Sequence, residues 1–374
     1  MAAAAVGGPA NGNAAALSSA AAGEADGGLD GIRATVQRLI KRPRAAATDA
    51  PTHVSSVDAA GLREEVWRVQ SEPGALGVVP VLCVQEAPTT AAGNVEQLPV
   101  VFVLHGTGGS KEQMLPHLRK YAKSGYLACS IDSRYHGERG SPADYTAALV
   151  AAFDANGAGD ADAQHPFMYD TAWDLMRVLD WVERRPDVDA SRIGMTGISL
   201  GGMHTWITSA VDSRVTAVAP LIGVQNYRWV LENSLWQARV ESLAAFFEVI
   251  RTRLGKPRVD DEVVELVWRR ICPELIDGSM AMDAPSSLQL IAPRPLLVAN
   301  GELDMRCPKV GVELAVAAAS RAWEGLPAEL QPKLYFDPGG GHAVSDAMWR
   351  LVDEFFDQHL APRDHEKPHS KADL

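Results

Sequence analysis

The stretch Gly197-Ile198-Ser199-Leu200-Gly201 constrains this chain more than any other. Ser191 to Thr196, just before it, can form a short strand, and Gly202 to Thr208, just after it, can form a helix. A serine between two glycines at such a junction sits on a sharp strand-to-helix turn. The turn forces the serine into a strained part of φ/ψ space, and it closes only if its neighbours lack bulk. The Ser199 hydroxyl then stands above the edge of a sheet. The Leu200 amide, at a helix N-terminus, points to where a carbonyl oxygen would develop charge.

A serine nucleophile needs a base, and the base needs an orienting acid. Pro295 to Ala299 is a short apolar run between proline and glycine, which predicts a buried strand. Asp304 follows its end. Lys333 to Phe336 predicts another strand, then a glycine-rich turn, then His342. Glu302 competes for the acid role, but the spacing from Gly301 to Asp304 favours Asp304. His204, five positions past the serine, is expected to pack rather than react. Upstream, the apolar run Pro99 to Leu104 leads into His105-Gly106-Thr107-Gly108-Gly109. Such a loop can supply a second oxyanion amide, assigned here to Thr107, with Gly106 and Gly108 as alternatives. His105 is expected to brace this loop. Asp132 to Arg139 is the densest polar stretch. It reads as a pocket wall or, preferably, as a hydrogen-bonded loop.

These pieces resemble the α/β-hydrolase superfamily. More narrowly, they are similar to its branch of dienelactone hydrolases, acetyl xylan esterases and prolyl-oligopeptidase-like proteins. The matching segments are His105 to Gly109, Asp132 to Gly137, Asp189 to Gly194 leading into Gly197 to Gly202, Pro293 to Leu297, and Gly341-His342. The likeness implies an α/β fold with a mostly parallel eight-stranded sheet and helices on both faces. It also implies a Ser199, Asp304, His342 triad in that chain order, with Thr107 and Leu200 as oxyanion amides. The elbow carries serine where dienelactone hydrolases typically carry cysteine, so a lactone substrate does not follow. The expected activity is hydrolysis of carboxylic esters or thioesters through an acyl-enzyme on Ser199. A peptidase, amidase or acyltransferase could use the same triad, and a hydrolase-fold ligand receptor is a further alternative. The segment before the sheet is too short for the propeller of an oligopeptidase.

Residues 1–30 are low-complexity, rich in Ala and Gly, and expected to be disordered. A hydrolase domain is expected over 31–360, followed by a loose tail over 361–374. A cytoplasmic location is expected, with a plastid as the alternative through the Ala-rich N-terminus, although the first basic residue, Arg33, follows Glu24 and Asp26, unlike a basic, acid-poor transit segment. A short helix is expected near Gly31 to Arg42, and a first strand at Gly77 to Gln85 within an edge hairpin. Further helices are expected at Lys111 to Lys123, at Thr171 to Arg184 with Asp170 as cap, and at Val344 to Leu360. Val215 to Ile222 reads as a strand. Between 224 and 292 the pattern shifts to amphipathic helices, Trp229 to Phe247 and Asp261 to Ile271, as in a cap-like insertion. There Trp229, Trp236, Phe246 and Phe247 either line an acyl pocket or pack the helices.

The net charge of −12 disfavours nucleic acid and anionic membranes as partners. A small ester or acyl compound is the expected one. No apolar run approaches the ~18 residues of a membrane span. The four cysteines lack C-x-x-C spacing and read as reduced thiols. Phosphate-loop, dinucleotide and metal-ligand spacings are missing, so no cofactor or metal is expected.

Overall fold

Short apolar runs separated by helical stretches build the sheet. The computed structural model describes residues 28–41, 47, 49–87, 97–158, 169–278 and 280–361. The expected disordered N-terminus, apart from its last residues, and nearly all of the expected tail lie outside these. Among the described residues nine strands form one sheet: β1 (Thr52–Ala59), β2 (Leu62–Gln70), β3 (Val78–Glu86), β4 (Leu98–Leu104), β5 (Leu127–Ile131), β6 (Val188–Ile198), β7 (Ala217–Leu221), β8 (Leu297–Gly301) and β9 (Lys333–Asp337). Their order is β1-β2-β3-β5-β4-β6-β7-β8-β9. The first three strands pair antiparallel, as does β3 with β5. Every later pair is parallel.

The eight-stranded expectation is therefore corrected to nine. The β1–β2 hairpin at the edge escaped the sequence reading for a physical reason. All of β1 is exposed, and β2 carries Arg63, Glu64, Glu65 and Arg68 with only Leu62 and Val69 buried. Neither strand shows the apolar alternation that marks a half-buried strand.

The helices are α1 (Gly28–Lys41), α2 (Leu115–Lys123), α3 (Pro142–Gly157), α4 (Tyr169–Val182), α5 (Leu200–Val211), α6 (Tyr227–Glu232), α7 (Gln237–Glu241), α8 (Ala244–Arg253), α9 (Asp261–Ile271), α10 (Ala284–Ser287), α11 (Lys309–Ser320) and α12 (Asp346–Leu360). Alternation along β4 divides the core. Val100, Phe102 and Leu104 pack with α1, α4 and α5, while Val101 and Val103 pack with α2 and α12. Asp170 lies inside α4 rather than capping it. The run Trp229 to Phe247 is broken into α6, α7 and α8, with Ser234 at φ 50° at the first break.

β4 is flanked by β5 on one side and β6 on the other, so the chain reverses its direction of winding there. Ligands in open α/β sheets bind at such a switch point, outside the carboxyl ends of the strands. The loops after β4 and β6, which carry Thr107 and Ser199, meet at that crevice.

Candidate active site

Ser199 joins β6 to α5 with φ 53° and ψ −106°. A non-glycine residue there costs roughly 1–3 kcal/mol and persists only where its surroundings hold it. The Ser199 amide donates to Leu221 O at 2.9 Å, and its carbonyl accepts from Met203 N at 2.9 Å. A Cβ added to Gly197 would lie 2.5 Å from the Gly201 carbonyl carbon, so the turn closes only around glycine.

His342 Nε2 lies 2.8 Å from Ser199 Oγ, and His342 Nδ1 lies 2.8 Å from Asp304 Oδ2. The carboxylate can only accept, so Nδ1 carries the proton and Nε2 faces the serine hydroxyl as acceptor. Asp304 is fully buried, and its Oδ1 accepts the amides of Arg306 at 2.8 Å and Cys307 at 3.1 Å. Those two bonds aim its other oxygen at the imidazole. The structure thus brings together the three residues singled out from the sequence. It also separates Asp304 from its rival. Glu302 pairs with Lys309 at 3.0 Å and accepts the Gly339 amide, away from His342. His204 is buried within α5.

The loop after β4 crosses the elbow. A Cβ on Gly106 would sit 3.8 Å from Ser199 Cβ, and Thr107 follows at the exposed rim of the crevice. Leu200 is the first residue of α5, where a helix leaves its amide without an intrahelical acceptor. His105 braces this loop, its Nδ1 donating to Gly106 O at 2.8 Å and its Nε2 accepting Ser133 N–H at 3.1 Å. Burial pushes its imidazole down to about 4, so it stays neutral.

The polar stretch 132–139 serves both roles weighed for it. Asp132 is fully buried, takes the Lys111 ammonium at 2.9 Å, and accepts the Lys111 and Glu138 amides at 2.8 and 3.0 Å. Arg134 forms a two-point pair with Asp174 at 2.9 Å through each of two nitrogens. Tyr135 to Gly137 and Gly140 then face a cavity of about 260 Å³. Thr107, Tyr145, Leu149 and Phe246 complete much of its lining.

Tyr145 and Leu149 come from α3, which the sequence reading missed. Its Ala-rich pattern hides the stripe, but Ser141 and Asp144 form a capping box that marks the helix start. Of Trp229, Trp236, Phe246 and Phe247, only Phe246 lines the cavity. Phe247 packs edge-on against Trp268, Trp236 bonds Asp261, and Trp229 fills the space left by Gly311.

Asp304, Cys307 and His342 are the described donors close enough to share a metal ion, with ligand atoms within 4.8 Å of one another. The carboxylate and imidazole are already bonded to each other, and burial pushes the Cys307 thiol up to about 12. A thiol held protonated is a poor ligand, so the set reads better as part of the bonded Ser199, His342 and Asp304 chain.

Residues 84–261 match the family model for acetyl xylan esterase (AXE1). That segment holds Ser199 and ends before Asp304 and His342. A 127-residue stretch is 27% identical to an uncharacterized 31.7 kDa protein of Escherichia coli, covering 34% of this chain and 37% of that protein. The chain thus spans little more than a third of that relative's length. YitV of Bacillus subtilis (strain 168), a proposed esterase, is 24% identical over 271 residues, covering 70% of this chain and 90% of YitV. Among solved structures, acetyl xylan esterase 1 from Thermoanaerobacterium sp. JW/SL YS485 is 17% identical with a TM-score of 0.61, covering 88% of this chain and 93% of that one. At that identity the likeness speaks for the fold. With its sheet order and elbow, the chain has the α/β-hydrolase fold, and over its central segment it is similar to acetyl xylan esterases.

Proposed function

We propose that this chain is a serine esterase that cleaves carboxylic esters through an acyl-enzyme on Ser199. The observation that carries this reading is the unbroken chain Ser199 Oγ, His342, Asp304, with both links at 2.8 Å. Ser199 attacks the acyl carbonyl while His342 Nε2 takes its proton. The carbonyl oxygen becomes an oxyanion held by the amides of Leu200 and Thr107. His342 then protonates the departing alcohol. Asp304 keeps the imidazole in the productive tautomer and stabilises the imidazolium. Water repeats the sequence, attacking the acyl-enzyme with His342 as base, and the acid leaves. The cavity beside Thr107 holds the acyl group. Its named walls carry no carboxylate and no cation, which suits the hydrocarbon part of a small to medium acyl group. Thioesters present the same carbonyl and follow the same steps.

The test is initial-rate hydrolysis of 4-nitrophenyl esters of graded chain length by the wild type and Ser199→Ala. Turnover with an optimum at a short or medium acyl chain, lost by many orders of magnitude in the variant, is expected. Equal rates in the two proteins at every chain length would overturn the reading.

A further inference from the structure

Arg239 is half-buried on α7, within the helical insertion. Its Nε–H donates to Gln225 Oε1 at 3.1 Å, and its Nη2–H lies 3.8 Å from Met203 Sδ. Both acceptors are neutral, and a thioether is a weak one. Among the described residues no carboxylate pairs with this guanidinium. Four shielded arginines contrast with it. Arg134, Arg139, Arg185 and Arg214 each face a carboxylate within 3 Å. Arg294 is instead wrapped by backbone carbonyls. Withdrawing a guanidinium from water without a counter-charge is unfavourable. In a chain of net charge −12, carboxylates are plentiful, so the missing partner is the feature to explain.

The position of Arg239 points to the reacting centre. Met203 lies in the first turn of α5, bonded through its amide to the Ser199 carbonyl, about 6 Å of helix rise from the elbow. Gln225 follows β7, whose Leu221 carbonyl holds the Ser199 amide. On the acid side, burial and the Asp304 charge push the Cys307 thiol up to about 12, and the Arg239 charge opposes that rise. On the cavity side, burial raises the Tyr145 phenol and Arg239 again acts against it. The guanidinium rests on Gln225 and on Met203 of α5, and its charge reaches both the cavity-lining Tyr145 and Cys307 beside the Asp304 loop. One turn further on, Ser242 and Leu243 line the cavity itself.

We propose that Arg239 binds a carboxylate carried on the acyl portion of the substrate, so that preferred substrates are monoesters of short dicarboxylic acids. The incoming carboxylate supplies the counter-charge that the protein withholds. A planar guanidinium also suits a carboxylate better than an ammonium would, because it offers two parallel N–H donors. This rests on the esterase reading and names the substrate class for it.

The experiment compares 4-nitrophenyl hemiglutarate with its neutral methyl-capped counterpart. The wild type should prefer the charged ester at least tenfold in kcat/KM at neutral pH and low salt. Arg239→Gln should bring that ratio near one while turning over the neutral ester, and Arg239→Lys should restore part of it. A wild-type ratio at or below one, or a ratio unchanged by Arg239→Gln, overturns the proposal. Calorimetric binding of glutarate to Ser199→Ala, with and without Arg239→Gln, needs no turnover. Binding that weakens at least tenfold on loss of Arg239 supports the carboxylate site even if no ester is cleaved, which would sink the esterase reading alone. Binding that is absent or indifferent to Arg239 overturns the carboxylate site.

Discussion

Lys111→Met tests the frame behind the loop that follows β4. The Lys111 side chain is fully buried, and so is its partner Asp132. Its ammonium lies 2.9 Å from Asp132 Oδ2 and 2.5 Å from Glu138 Oε1. These bonds tie the loop after β4 to the 132–140 loop, which forms a cavity wall. Methionine keeps much of the volume but leaves the Asp132 carboxylate buried without its cation. Breaking one side of a buried pair costs about 3–5 kcal/mol. Asp132 would keep the Lys111 and Glu138 amides as donors, which places the expected loss near the lower end, about 3 kcal/mol. Urea midpoints at pH 7, with the slope unchanged, would read this out. Combining Lys111→Met with Asp132→Asn should cost clearly less than the sum of the two single changes. A loss below about 1 kcal/mol, as for an exposed pair, together with strict additivity, would refute the reasoning.

Acid stability should depend on Asp174. Burial works to raise its carboxyl, but the charges of Arg139 and Arg134 outweigh that and hold it at about 2. Its ordinary value is about 3.9, so between those values the unfolded chain binds more protons and stability rises with pH. About 2 kcal/mol is fully present above pH 4 and lost as pH falls through 2. Asp174→Asn should flatten that part of the stability curve, and an unchanged slope between pH 2 and 4 would contradict it. Asp304→Asn should lower kcat on the order of 10⁴-fold while leaving the unfolding midpoint close to wild type, measured by ester hydrolysis and thermal melts. Gly197→Ala should abolish activity, because the added carbon meets the Gly201 backbone at 2.5 Å. A variant with normal rates would show the elbow to be looser than described.

Ser199, Asp304 and the Thr107 loop were legible because each follows a strand with its own apolar signature, whereas His342 follows the half-exposed β9 and was marked by its glycine-rich turn. Ile193 to Met195, Leu296 to Ala299 and Val100 to Leu104 are buried runs, and glycine marks the turn after each. The chain order of serine, acid and histidine then limited the arrangement. Long-range pairing was not legible. The partnership of Arg134 with Asp174 spans 40 residues, and nothing in local spacing marks it. The β1–β2 hairpin was hidden because its stability comes from backbone pairing at an exposed edge rather than from an apolar face. Arg239 gave no signal either, since one arginine in an amphipathic run reads as a solvated face. Its neutral partners, Gln225 and Met203, show only in three dimensions.

The central claim is that Ser199 carries the acyl group. Treating the protein with an alkyl fluorophosphonate and mapping the adduct by peptide mass spectrometry tests this most directly. One stoichiometric adduct is expected on the peptide containing Ser199, with labelling lost in Ser199→Ala and strongly slowed in His342→Ala. Labelling on another residue, or equal labelling of the Ser199→Ala protein, would contradict it.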